Sequence, residues 1–257
     1  MPALDWSAPW FAPWREPGER VAAQVAAGRP QHAALNDAGA GPMRFVPQEQ
    51  LPAGVAYEQF IFQTRQCPVR PGLHDFFNAL VWLQFPRAKA ALNRLQAAEI
   101  ARAGVGARRG PVRDAITVFD ENGALLQAPP ALWTALQERA WRRLFVELRP
   151  LWAQARLRIF GHALLEQLAV PRQGLTAHVW LADAALDSGA EEDAWLAAQC
   201  TPDALAAKPF TPLPVLGVPG WWPGNENFSF YDDSLVFRPR KTPEPITTTT
   251  SAGSSRS

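Results

Sequence analysis

The sequence is poor in cysteine. Cys67 and Cys200 are the only two, far apart and without CxxC spacing. That excludes a disulfide framework and a thiolate zinc site, and it points to a reduced, cytoplasmic setting. No stretch approaches the roughly 18 uninterrupted apolar residues of a membrane-spanning helix. The opening stretch, MPALDWSAPWFAPWREPG, has no basic start followed by an apolar run, so it is expected to be neither a signal peptide nor an anchor. Charge of one sign is also missing: 25 basic residues face 24 acidic ones, for a net charge of +1. Nucleic-acid binding needs a concentrated basic face and is not expected. The arginine clusters ARRGPVR (107–113) and RAWRRL (139–144) read as solvated helix surface. No G-x-S-x-G elbow, P-loop or G-x-G-x-x-G run is present. Cys67, between Gln66 and Pro68, lacks the setting of a nucleophile.

What the chain does have is apolar bulk. Hydrophobic residues make up 47% of 257 residues, enough for a substantial core. The expected fold class is α+β: one globular domain over 1–240, with a helical core, a β-hairpin, short strands, and irregular aromatic arms at both ends. The polar stretch from Lys241 to Ser257 is expected to be disordered. In the N-terminal arm, Pro2, Pro9, Pro13 and Pro17 oppose a long helix, so an extended segment burying Trp6, Trp10, Phe11 and Trp14 is expected. A short helix ends at Gly28. The run AYEQFIFQ (56–63) is aromatic and β-prone. From His74 the pattern turns helical, with Phe76, Leu80 and Leu83 on one stripe. Pro86 divides this helix from a second that stops at Gly104. RDAITVFDENGALLQ (113–127) reads as a hairpin turning at Asn122-Gly123. ALWTALQERAWRRLFVELRPLW (131–152) reads as one helix. A strand to Phe160, a helix from His162, a strand over 174–183 and a helix at AEEDAWLAAQC follow.

Several of these stretches occur together in one family. DWSAPWFAPWREP, LHDFFNALVWLQFPRAKAALN, RDAITVFDENGAL, FGHALLEQL and PGWWPGNENFSFYDDSLVFRPR span roughly Asp5 to Arg240. By them the chain resembles the proteobacterial domain-of-unknown-function family 3025. The resemblance implies a bacterial cytoplasmic protein and names no activity. In the family pattern, the segment before the His-Asp pair reads Thr-Gly-x-Val-Pro-Thr-Arg. Here it is TRQCPVR, with Arg65, Cys67 and Val69 in place of the family types. The resemblance also puts a histidine where this chain has Gln96, so position 96 is left outside the site.

Three segments carry candidate chemistry. His74 and Asn78, four apart, share a helix face, with Asp75 one step round. His74 could serve as a general base or metal ligand, with Asp75 or Asn78 fixing its tautomer. Asp75 could equally cap the helix start. Arg113 and Asp114 form a candidate ion pair or anion contact, and Asp114 could align a distant histidine. Asp120 and Glu121 could offer hard oxygen ligands to a divalent ion, or simply serve a turn. His162 and Glu166, four apart, suit an acid-base pair or two metal ligands. His178 reads as a core histidine, and His32 as a loop residue. In the C-terminal arm, Trp221, Trp222, Asn225, Tyr231, Asp232 and Asp233 could close over a pocket or pin the arm to the core.

Two readings stand. One is a hydrolase-type enzyme acting on a small polar ligand through His74, Asp75, Asn78, Arg113, Asp114 and His162. The other is a non-catalytic binding or scaffold protein whose polar motifs are caps, turns and ion pairs. The sequence names no cofactor, leaves metal binding open, shows no membrane partner and does not give an oligomeric state.

Overall fold

The computed structural model describes residues 3–39, 41–104 and 110–240. The expected disordered tail, and part of the arginine cluster at 107–113, lie outside the described residues. In chain order the elements are α1 (Arg15–Ala26), α2 (Gln31–Ala38), β1 (Arg44–Pro47), α3 (Tyr57–Thr64), β2 (Gln66–Val69), α4 (Leu73–Gln84), α5 (Pro86–Ala103) and α6 (Pro111–Asn122). They continue with β3 (Gly123–Gln127), α7 (Pro130–Glu138), β4 (Arg156–Ile159), α8 (His162–Gln167), β5 (Thr176–Leu181), α9 (Gly189–Gln199), α10 (Pro202–Ala206) and β6 (Thr211–Pro214).

The fold is α+β. A four-stranded sheet runs in the order β4-β3-β5-β6, with β3 and β5 parallel and the other neighbours antiparallel. β1 and β2 form a separate parallel pair. All five residues of β3 are buried, as a central strand covered on both faces requires. The helices α4, α5, α6 and α8 pack on one another, and α6 also lies against β3 and β5. The buried side chains make one cluster, from Ala8 in the N-terminal arm to Phe237 in the C-terminal one.

Five expectations are corrected. The hairpin at 113–127 is absent: the segment is helix α6 running straight into β3. Ala115, Ile116 and Phe119 are buried together on one helix face, and that three-to-four-residue period outweighs the β-branched residues and the Asn-Gly signal. Gly123 has φ −73° and ψ 156°, ordinary extended backbone rather than the positive φ a tight turn needs. The aromatic run at 56–63 is helix α3. Tyr57, Phe60, Ile61 and Thr64 are spaced for a helix, Phe60 and Ile61 face the core, and packing against α5 overrides strand propensity.

The N-terminal arm is not extended. It forms a 3-10 turn over Pro9–Trp14 leading into α1, although Trp10, Phe11 and Trp14 are buried as expected. The helix expected over 131–152 breaks after α7, where Arg139 adopts φ 53°, and resumes as a π turn and a 3-10 turn. His32 sits on α2 rather than in a loop.

Arg65 closes α3 in the left-handed region, at φ 58°. This is the position where the family resemblance implies glycine, the residue with no Cβ to strain there.

Candidate functional site

Three helix ends build the site. α4 begins after Gly72, which puts His74 and Asp75 in its first turn and Asn78 one turn on. α6 delivers Asp120 and Glu121 in its last turn. α8 starts at His162 and carries Glu166 one turn later. Two glycines fasten α6 to α8. The backbone N–H groups of Phe160 and Gly161 both donate to the Gly123 carbonyl, at 2.9 and 2.8 Å. A Cβ at Gly161 would fall 2.4 Å from the Glu121 carbonyl oxygen. Only a residue without a side chain permits that approach, and the approach sets Glu121 beside His162.

The two imidazoles meet edge to face. Their Nε2 atoms are 3.2 Å apart and their planes lie at 74°. His74 Nδ1 is 2.9 Å from Glu166 Oε2. His162 Nδ1 faces Asp120 Oδ2 at 3.8 Å without a hydrogen bond, and its Nε2 is 3.6 Å from Glu121 Oε2. Each ring therefore has a carboxylate behind its Nδ1 and directs its Nε2 toward the other ring. His74, Glu121 and His162 each offer one ligand atom, and the three atoms lie within 4.8 Å of one another. These are the residues that could hold a metal ion.

Beneath the imidazoles runs a buried polar chain. Lys89 Nζ donates to Asp120 Oδ1 at 2.5 Å and to Asn78 Oδ1 at 2.9 Å. Asn78 Nδ2 donates to the Tyr57 hydroxyl at 3.2 Å, and that hydroxyl lies 3.2 Å from Cys67 Sγ. Asn93 donates to Glu58 at 2.6 Å.

The electrostatics follow from burial and these contacts. Burial pushes the His162 pKa down to about 4, against the pull of the Asp120 carboxylate. Burial also pushes Asp120 up, but Lys89 and the two histidines outweigh it and hold the carboxyl below its ordinary value. Burial raises Glu58, opposed by Lys89. It pushes the Cys67 thiol up to about 12, which leaves no thiolate at neutral pH and no nucleophile there.

Of the residues expected from sequence, His74, Asp75, Asn78 and His162 line one hollow of about 310 Å³, together with Tyr57, Glu58, Arg70, Asp120 and Glu121. Arg113 and Asp114 do not line it. Arg113 reaches Gln96 and the Gly104 carbonyl, both at 3.4 Å, and Asp114 pairs with Lys208 at 2.5 Å. Two partner assignments also change. Glu166, and neither Asp75 nor Asn78, orients His74. Asp75 instead accepts from the Arg70 backbone N–H at 2.7 Å and from its guanidinium through both oxygens. It therefore ties α4 to the strand before it rather than capping the helix. Asp120 and Glu121 belong to the site through a helix end, not a turn.

Lys89, Tyr57 and Glu58 were not foreseen in the site. Their nearest signal was helical spacing: Lys89 follows Pro86 by three, and Tyr57 and Glu58 open a helix that reads as a strand. The C-terminal arm pins itself away from the hollow. Tyr231 stacks on Phe145 at 5.1 Å and donates to the Gly217 carbonyl, and Asn225 donates to the Leu216 and Val218 carbonyls. His178 sits half-buried on β5 beside Gly123, outside the hollow.

Residues 43–241 match the model of a family described as "Protein of unknown function (DUF3025)". The chain belongs to this family. The matched DUF3025 segment contains every residue of the hollow, whereas the indole-bearing turn Pro9–Trp14 precedes it. No curated protein and no solved structure matches the chain. Among the described residues, no helix is long and apolar enough to cross a membrane.

Proposed function

We propose that this DUF3025 protein is a hydrolase-type enzyme that acts on a small polar substrate in the His74–His162 hollow. The observation that carries this reading is the convergence of the two Nε2 atoms at 3.2 Å in the wall of a polar hollow, with Glu166 behind His74 and Asp120 behind His162. Donation from His74 Nδ1–H to Glu166 places the lone pair on Nε2, facing the space where a water and a substrate would meet. A water that gives a proton to His74 Nε2 attacks the scissile carbonyl or phosphoryl centre, the bond to the leaving group breaks, and the leaving group departs with that proton. The exposed Arg70 guanidinium, held by Asp75, stands at the rim as a donor for polar substrate groups. Both cysteines are buried and unpaired, which supports the expected reducing, cytoplasmic setting.

The test compares the wild type with His74→Ala and His162→Ala on a panel of small esters, amides, phosphomonoesters and glycosides. The expected result is turnover of one class, with kcat/KM falling by about a hundred- to ten-thousand-fold in each variant while far-UV circular dichroism is unchanged. Turnover that survives both substitutions, or none on any class, removes the reading. Saturable ligand binding without turnover would favour the non-catalytic binding role instead.

A further inference from the structure

Two imidazole lone pairs aimed at one point repel unless a cation lies between them. Donation to Glu166 fixes the His74 proton on Nδ1 and leaves Nε2 as a lone pair. On His162, Nδ1 makes no hydrogen bond and faces the Asp120 carboxylate. A proton placed there frees its Nε2 as well. The cation between the rings is then either a shared proton in an N–H···N bond or a metal ion.

Three features select the metal. First, two nitrogens about 2.0–2.1 Å from one tetrahedral ion stand roughly 3.3 Å apart, and the Nε2 atoms are 3.2 Å apart. Second, Glu121 brings an oxygen to 3.6 Å from His162 Nε2. A shared proton has no use for that third donor, whereas an ion takes it as a ligand. Glu121 is 36% exposed, so its carboxylate is reachable from solvent. Third, His74 has the Glu166 carboxylate hydrogen-bonded behind its Nδ1, the arrangement that orients and strengthens an imidazole ligand, and the Asp120 carboxylate lies 3.8 Å behind His162 Nδ1. His74 and His162 also come from separate helices, α4 and α8, which pack on each other beyond the imidazole contact.

We propose that His74, His162 and Glu121 bind one divalent transition-metal ion, zinc in preference to calcium or magnesium, with Glu166 orienting His74 and the Asp120 charge behind His162. Two imidazoles and one carboxylate suit zinc and its first-row neighbours, whereas calcium and magnesium take oxygen ligands. Three protein ligands leave a coordination position open, and all three residues line the hollow. An ion there would occupy both Nε2 lone pairs and, in place of His74 as base, activate the water it holds by lowering its pKa. That catalytic consequence rests on the hydrolase reading; the metal site itself does not.

The full chain, stripped with chelator and dialysed, is titrated with Zn²⁺ by calorimetry and with Co²⁺ by visible absorption. The expected result is one equivalent of either ion and a cobalt d–d band. His74→Ala and His162→Ala should each weaken binding at least a hundredfold. Glu166→Gln should weaken it about ten- to a hundredfold, and His32→Ala should leave it unchanged. Absence of stoichiometric binding, or wild-type affinity in either alanine variant, overturns the proposal. Because those variants could lose structure, long-range ¹⁵N–¹H spectra of the wild type give a second readout. Zinc should move the Nε2 resonances of two of the four histidines, and unmoved resonances overturn the proposal. Hydrolysis by metal-free protein would end the metal's role and leave the hydrolase reading intact. Tight stoichiometric zinc without turnover of any substrate class would do the reverse.

Discussion

Helix α6 carries a lysine–aspartate pair near each end. Near its start Asp114 meets Lys208, and near its finish Asp120 meets Lys89, both at 2.5 Å. The chemistry is the same and the surroundings are not. The Lys208 and Asp114 side chains are 51% and 46% exposed, against 6% and 20% for Lys89 and Asp120. At the exposed end water screens both charges, so the pair adds little. At the buried end neither charge can be left alone, and the surrounding groups are arranged to prevent it: Asn78 accepts a second hydrogen bond from Lys89, and Asp120 also faces His162. Charge pairing by itself therefore does not mark a functional site. Pairing without water, beside groups that can titrate or ligate, does.

Removing one lysine at a time separates the two ends of α6 most strongly. Lys89→Ala leaves Asp120 buried without its main partner and is expected to cost about 3–5 kcal/mol in urea unfolding. Lys89→Met with Asp120→Asn removes both charges and should recover much of that loss, because the cost comes from the orphaned charge rather than from the missing attraction. If Lys89→Ala costs no more than a surface substitution, the buried end differs from the exposed end in position only.

A second variant tests whether backbone contact is what makes the buried end a site. Gly161→Ala drives a methyl group against the Glu121 carbonyl and the Asn122 backbone. Overpacking of this kind costs about 1–3 kcal/mol. Relief by separating α6 from α8 should also draw Glu121 away from His162, so zinc affinity should fall along with the melting temperature. Full zinc affinity in Gly161→Ala would show that the glycine contact supports the fold and not the ligand geometry.

Sequence reveals local features of this molecule better than distant ones. The helical stripe through Phe76 and Leu80, the break at Pro86 and the start of α8 after Gly161 were legible because each is set by neighbours within a few positions. His74 and Asn78 fell into the hollow for the same reason. The hairpin pattern of the segment misplaces Asp114 and Asp120. Once it is a helix, six residues separate them by about 9 Å along the axis and point them to different sides. Ile116 and Val118 favour strands by propensity, and the buried helical period of Ala115, Ile116 and Phe119, packed against the sheet and α5, decides for the helix. The pairing of His74 with Glu166 crosses 92 residues, and its contact with His162 crosses 88. No spacing rule reaches that far. Glu166 therefore looked like the partner of His162, its neighbour one turn away.

The smallest expected effect lies at the exposed end and is the control for the rest. Lys208→Ala should change stability by about 0–1 kcal/mol. The small contribution should shrink further in 1 M salt, where the screening length is about 3 Å. The Lys89 effect should persist in the same salt, because ions do not enter the space between Lys89 and Asp120. Equal salt sensitivity at the two ends would mean that water reaches Asp120 as freely as Asp114. The protected charge that distinguishes the hollow from the rest of α6 would then not exist.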